Sequence, residues 1–269
     1  MRVVRGRADT VEADRAVTEG IRERVATDRE PAVRVWRPPR QVAFGRRDAS
    51  EPGYDRARRA ASERGFVPVE REVGGRAVAY TGSTVAFARV TPVSDARGGI
   101  QARYDAATAD LRAALDALGV DAREGEPPES FCPGSHSLQV HGAGSEGGPR
   151  KLAGLAQRVR SRVASVAGVL VVRDHRAIGA VLDPIYDALG VPFDPASVGS
   201  VARAAGKGDP DRSVSDPDRV VSAVADALVD GAGEGGETSG DGGSDSASET
   251  GDGVNEASGT ADVTVERVD

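Results

Sequence analysis

Apolar positions along the chain change period several times, and each change marks an element. After the capping candidates Asp9 and Thr10, an amphipathic helical stretch runs to about Thr27. Two β-like runs follow, Ala32 to Trp36 and Gln41 to Phe44, and their junction across Pro38-Pro39 reads as a hairpin or a pair of adjacent strands. A helical run covers Tyr54 to Arg64. Strand patterns return at Phe66 to Arg71, Ala77 to Tyr80 and Thr84 to Ala88. The longest helical signal spans Ile100 to Leu118, with Ala107, Leu111, Ala114, Leu115 and Leu118 on one face and Gly119 as its stop. Short strands around Leu138 to Val140, Leu152 to Val159 and Val166 to Val172 precede a helix near Ala177 to Leu189. Two further helices fit residues 196–205 and 217–229. Strand clusters broken by single long helices, without βαβ regularity, predict an α+β fold with mixed or antiparallel sheets and flanking helices.

With 269 residues, 39% of them apolar, the chain can bury one sizeable core. Its single cysteine excludes an intrachain disulfide framework, and His136, His141 and His175 lack zinc-ligand spacing, so no metal site is expected. No run of 18 uncharged apolar residues is present and Met1-Arg2-Val3-Val4-Arg5 is not a secretory leader, which predicts a soluble cytoplasmic protein with no membrane partner. The net charge of −7 is unevenly placed. Residues 231–269 hold ten acids and one base, a charge of −9, leaving +2 over residues 1–230. That body is not basic enough for a nucleic-acid ligand. The Gly/Ser/acid-rich tail cannot offset its ordering entropy by burial. The expected layout is a folded domain over residues 1–206, a helical extension over 207–230 and a disordered acidic tail over 231–269.

Candidate chemistry is confined to scarce residues. Cys132 is the only cysteine, and Lys151 is one of two lysines, with Lys207, among 35 basic residues. An ammonium is a compact charge whose pKa moves with burial, a task that arginine cannot perform. Cys132 precedes Pro133-Gly134 and so lies on a turn. A lone cysteine can equally be a small buried apolar group, whereas a reactive thiolate needs a cation or base nearby. A strand and Gly-rich loop can return Lys151 toward Cys132 as a Cys/Lys dyad; His136 is the other candidate base, and reads better as a partly exposed loop residue. Arg71 and the Gly74-Gly75-Arg76 turn can approach a carboxylate, acyl carbonyl or phosphate. Trp36 is expected in the core.

Ser130-Phe131-Cys132-Pro133-Gly134-Ser135 and Lys151-Leu152-Ala153-Gly154-Leu155-Ala156-Gln157-Arg158 resemble the Cys-Pro-Gly and Lys-x-x-Gly-x-(Ala/Ser)-Gln-Arg signatures of the lipoate-protein ligase and octanoyltransferase family. The resemblance covers roughly residues 5–205 and is nearest the cysteine-bearing amidotransferase branch. It implies a biotin/lipoate-ligase-like α+β domain enclosing an acyl chain, with Cys132 carrying a thioester and Lys151 binding the acyl carbonyl. Arg71, Gly74, Gly75, Gly134, Gly154, Ala156 and Gln157 would then contact substrate. Backbone amides near Gly74-Gly75 or the Cys132 turn would meet the oxyanion. The implied donor is octanoyl or lipoyl, and the implied acceptors are lipoyl-domain proteins, namely the glycine-cleavage H protein and 2-oxoacid dehydrogenase E2 subunits. A transferase would need no cofactor, whereas an ATP-dependent lipoate-protein ligase would need ATP and Mg. A non-catalytic acyl-binding subunit is the third reading. Glu70-Arg71-Glu72-Val73-Gly74-Gly75-Arg76 lacks the hydroxyl and third glycine of the ligase string Arg-Arg-x-Ser/Thr-Gly-Gly-Gly, and His136-Ser137 stands where the family often places Asp.

Overall fold

The computed structural model of the chain describes residues 1–71, 74–141, 148–160, 162–205, 214–233 and 263–268. An eight-stranded mixed sheet forms its centre. The strands are β1 (Arg2–Gly6), β2 (Ala32–Trp36), β6 (Val85–Pro92), β7 (Arg123–Glu124), β8 (Ser137–His141), β9 (Pro149–Arg160), β10 (Val163–Leu170) and β11 (Thr264–Val268), in the order β11-β1-β2-β6-β10-β9-β8-β7. A second sheet has the order β4-β3-β5, from β3 (Gln41–Phe44), β4 (Val67–Glu70) and β5 (Val78–Tyr80). The helices are α1 (Val11–Asp28), α2 (Arg46–Ala49), α3 (Tyr54–Glu63), α4 (Ile100–Ala117), α5 (His175–Leu189), α6 (Val201–Ala204) and α7 (Pro217–Gly233). The α+β architecture with mixed sheets is the one the pattern predicts.

Local chemistry accounts for the helix ends. Thr10 caps α1 by accepting from the Ala13 amide, and Glu12 and Asp14 complement the dipole of its first turn. The helix stops at Arg29, in the left-handed region at φ 61°. Strand β10 is paired antiparallel along its whole length with β6 on one side and β9 on the other, and core clusters packed on the sheet leave its Val/Ala sequence largely buried.

One face of the large sheet packs on α4 and α7 through Val33, Val35, Phe87, Leu111, Leu115, Leu152, Leu170 and Leu228. On the other side, α3, α5 and the small sheet share a core with Val169 and Val171. The small sheet therefore stands over part of the large one, and a cleft remains between them.

Some expectations are met differently. The hairpin or adjacent pair expected of β2 and β3 does not form, because β2 pairs with β6 in the large sheet and β3 with β4 and β5 in the small one. Pro38-Pro39 takes the chain from one sheet to the other. Helix α7 is integral to the core, since Val220, Val224, Ala225 and Leu228 are fully buried. Each of the larger of these side chains stabilises the fold by about 1.5–3 kcal/mol. The helix expected over 196–205 is a 3-10 turn at Pro195–Ser197 and the four-residue α6. Within the tail expected to be disordered, residues 231–233 end α7 and Thr264–Val268 form β11, parallel to β1; residues 234–262 and Asp269 lie outside the described residues, as does Lys207.

Candidate active site

Cys132 sits in the loop between β7 and β8 with φ 43°, a left-handed conformation uncommon for a side-chain-bearing residue. Its amide donates to Tyr186 Oη at 2.6 Å, and that hydroxyl donates to the Ala77 carbonyl at 3.0 Å. Tyr186 projects from α5 and is fully buried. Burial, with the Cys132 sulfur nearby, raises the Tyr186 phenol well above its ordinary value and keeps it protonated.

The cation at the sulfur is Arg71. Its amide continues the pairing of β4 with β3 by donating to the Phe44 carbonyl at 2.9 Å. Arg71 Nη2 then donates to Cys132 Sγ at 3.2 Å and to the Arg76 carbonyl at 2.5 Å, while its Nε is buried without a partner among the described residues. Gly75 makes this approach feasible. It sits at φ +93°, and a Cβ there would lie 2.8 Å from Cys132 Sγ and 2.9 Å from Arg71 Nη2.

Lys151 lies on β9 with 1% of its surface exposed. Its Nζ donates to both carboxylate oxygens of Glu126, at 3.0 and 2.9 Å, and to the Cys132 carbonyl at 2.8 Å. Burial lowers the ammonium below the ordinary lysine value, with Arg71 acting in the same direction, against the opposing pull of Glu126 and Cys132. Gly154 lies three residues on in β9, past a register shift in the pairing with β8, and a Cβ there would come within 3.3 Å of Lys151 Cε. The dyad expected from sequence thus takes another form: Lys151 holds the backbone of Cys132, and Arg71 holds its sulfur.

These groups line one end of a cavity of about 870 Å³ between the sheets. Gly74, Gly75, Gly134, Gly154, Ala156 and Gln157 line it too, so all the expected substrate-contact positions converge on one space. Small side chains, Ala86, Ala88, Ala156 and Ala167, make a floor suited to an apolar chain. Trp36 packs, half-buried, against the core cluster of Val4, Ile21 and Val25 and also lines the cavity; its Nε1 donates to Asp14, which pairs with the fully buried Arg34 at 2.6 Å. Gln157 is tied to the start of α4, accepting from Arg103 Nε at 2.7 Å and donating to the Ile100 carbonyl at 2.9 Å. His136 stacks on Tyr104 at 3.6 Å between ring centroids and, among the hydrogen bonds of the described residues, makes none to Cys132. The Cys132 amide is engaged by Tyr186 and that of Gly134 by Glu126, so neither is idle as an oxyanion donor. Among the described residues no three His, Cys, Asp or Glu side chains are grouped to hold a metal, and no helix is long and apolar enough to cross a membrane.

The profile described as "Lipoyl protein ligase A/B catalytic domain" matches residues 12–225. The chain belongs to this family. Among relatives of this ligase A/B domain, the octanoyl-[GcvH]:protein N-octanoyltransferase of Exiguobacterium sp. strain AT1b is 30% identical over 163 residues, 60% of this chain and 55% of that protein. The protein of that name from Kyrpidia tusciae is 30% identical over 194 residues, 72% of this chain and 61% of the other. The chain therefore spans only about half to three fifths of the length of these curated relatives. In fold it is similar to the crystal structure of lipoate-protein ligase A bound with ATP, at a TM-score of 0.62 with 21% identity, covering 87% of this chain and 84% of that one. A lipoate-protein ligase-like protein of T. acidophilum with bound lipoic acid gives 0.61 at 19% identity, covering 86% of each chain.

Within this ligase A/B domain, Glu126 and Tyr186 are the site residues that the sequence pattern passes over. Glu126 stands among 42 acidic residues in the string Gly125-Glu126-Pro127-Pro128, and Tyr186 occupies an ordinary apolar position of α5. Neither type nor spacing distinguishes them. Their roles come from tertiary contacts alone.

Proposed function

We propose that the protein transfers an octanoyl or lipoyl group between lysines of lipoyl-domain proteins through a thioester on Cys132. The observation that carries this reading is the position of the chain's only sulfur nucleophile, on the wall of a cavity with ample room for an acyl chain and with a guanidinium 3.2 Å from Sγ. The names of the relatives, octanoyl-[GcvH]:protein N-octanoyltransferases, point the same way as to the donor, an octanoylated GcvH; the acceptor in this reading is a second lipoyl-domain protein. No cofactor is needed in this reading, because the acyl group arrives already bonded to a lysine.

In the first half-reaction the Cys132 sulfur attacks the amide carbonyl of the donor. The C–S bond forms, the C–N bond breaks, and the departing lysine amine takes up a proton. In the second, the acceptor's neutral amine attacks the thioester carbonyl, the C–S bond breaks, and the thiol is restored as an amide forms. Dividing the exchange in two replaces one difficult displacement by two acyl transfers. Negative charge on the carbonyl oxygen in each tetrahedral intermediate would be met by Arg71, whose buried Nε has a free N–H among the described residues, and by Lys151. For Lys151 to do so, the acyl oxygen must replace the Cys132 carbonyl on the third N–H of its ammonium.

Intact-mass measurement after mixing the protein with an octanoylated lipoyl domain tests this. An octanoyl adduct on wild type that passes to a second lipoyl domain, and is absent from Cys132→Ala, is the expected result. Acceptor modification by Cys132→Ala that requires free acid, ATP and Mg would make the protein a ligase. No adduct and no modified acceptor would leave an acyl-binding subunit.

A further inference from the structure

The Glu126 carboxylate is an organising centre that the reaction as written does not use. It accepts from Lys151 Nζ with both oxygens, from Ser137 Oγ at 2.6 Å, from the Gly134 amide at 3.1 Å and from Ser130 Oγ. Ser130 and Gly134 each lie two residues from Cys132, on opposite sides. Ser137 begins β8 and Lys151 lies on β9. One carboxylate therefore binds both sides of the nucleophile's turn and the lysine.

We propose that Glu126 is a positioning residue that holds the Cys132 turn and the Lys151 ammonium as one unit, with a single N–H of that ammonium directed at the nucleophile's turn.

Two inventories support this. A carboxylate offers about four lone-pair positions, and five hydrogen bonds converge on them, two from Lys151 and one each from Ser130, Gly134 and Ser137, so Glu126 has no free site from which to take a substrate proton. An ammonium has three donors, and here two go to Glu126 and one to the Cys132 carbonyl. With two N–H bonds fixed, the third can change acceptors, from the Cys132 carbonyl to an acyl oxygen, without the amine moving. Without Glu126 the amine is free to swing away. The side chain that turns the sequence into this arrangement must come from outside the Cys-Pro-Gly turn, because His136-Ser137 supplies a hydroxyl donor and no carboxylate of its own. The charged and titratable groups facing Lys151 are Glu126 from the loop after β7, the Cys132 thiol and Arg71 from the end of β4. The Phe131 ring, 5.2 Å from Nζ, adds an uncharged wall.

The catalytic consequence rests on the transferase reading, but the coupling can be measured without it. The chain has only two lysines, so protein labelled with 13C at lysine Cε gives two ε signals, and Lys207→Arg assigns them. Glu126→Gln is nearly isosteric; it removes the charge and replaces one acceptor oxygen by an amide NH2. The Lys151 titration midpoint is expected to fall by about one to three pH units, and the alkaline limb of kcat for octanoyl transfer to fall with it. Glu126→Asp keeps the charge on a shorter arm, so its midpoint should stay near that of wild type while kcat drops with KM unchanged. An unmoved midpoint in Glu126→Gln, or undiminished kcat in Glu126→Asp, overturns the proposal. Wild type that transfers nothing overturns the transferase reading instead, and the midpoint still decides the coupling.

Discussion

Arg71 Nη2 bridges Cys132 Sγ and the Arg76 carbonyl, so one guanidinium both faces the nucleophile and closes the Gly74-Gly75 turn over it. Lys151 binds the carbonyl of the same residue. Each cation thus has a separate task. Burial acts on them differently: Lys151 is held below its usual value, whereas the Cys132 and tyrosine groups around Arg71 outweigh its desolvation and raise it. Arg71 stays charged at any working pH.

Arg71→Met should slow alkylation of Cys132 by iodoacetamide and slow acyl transfer with it. A hydrogen bond to a charged group contributes about 1.5–3 kcal/mol, which corresponds to roughly ten- to a hundredfold in rate. Alkylation kinetics near neutral pH provide the check. Equal rates in mutant and wild type would mean that the guanidinium only shapes the Gly74-Gly75 turn.

Lys151→Arg should abolish transfer and destabilise the fold, although it preserves the charge. A guanidinium is larger and flat, and the space beside Gly154 and Ser137 is filled by the lysine tip. Overpacking of this kind costs about 1–3 kcal/mol, visible as a fall of several degrees in Tm. Full activity in the mutant would show that a positive charge alone is required.

How far the site is legible in sequence depends on whether its residues are scarce or common. Cys132 and Lys151 stand out because the chain hardly uses either type elsewhere, and the helix over Ile100–Ala117 stands out because its apolar stripe is long and ends in Gly119. Glu126 carries no such mark. The separation of β2 from β3 is hidden for another reason: a short gap between two strands favours a hairpin locally, and only the competing partners β6 and β5 decide otherwise. Strand β11 is hidden because Thr264-Val265-Glu266-Arg267-Val268 does not alternate and follows about 30 residues of Gly/Ser/acid-rich composition.

Alkaline pH should weaken the fold through its tyrosines. Burial raises Tyr80 and Tyr186, and burial together with Glu70 raises Tyr54 to about 12. Above the unfolded-state value of about 10, the unfolded chain releases these protons while the native state keeps them, so stability falls as pH rises. Lys151 acts in the opposite sense: its lowered native value adds stability as pH climbs toward about 10.4, but it is one group against three. Urea midpoints measured from pH 9 upward should therefore decline beyond about pH 10, and Tyr186→Phe should flatten the decline. A flat profile in wild type would mean that these phenols ionise in the native state.

Removing residues 234–269 should lower Tm without changing transfer per folded molecule. The deletion takes away the parallel pairing of β11 with β1 from Arg2↔Thr264 to Gly6↔Val268, and the ion pairs of Glu266 with Arg2 at 3.0 Å and Arg24 at 3.1 Å. Those ion pairs are partly exposed and worth at most about 1 kcal/mol each. Val265 stays 57% exposed, so little apolar area is lost. A net cost of about 1–3 kcal/mol follows, mainly from the ladder hydrogen bonds, and β1 is left as an open edge prone to pairing with another chain. Chemistry should be spared, because β1 is separated from β9 and Lys151 by β2, β6 and β10. Loss of the −9 carried by the segment should alter acceptor KM only at low ionic strength, since salt near 0.1 M screens exposed charges beyond about 10 Å. Thermal melts, sedimentation and acceptor kinetics on the 1–233 chain would decide it. An unchanged Tm would mean that the β11 pairing contributes nothing, and a salt-independent loss of turnover would mean that the segment reaches the active site.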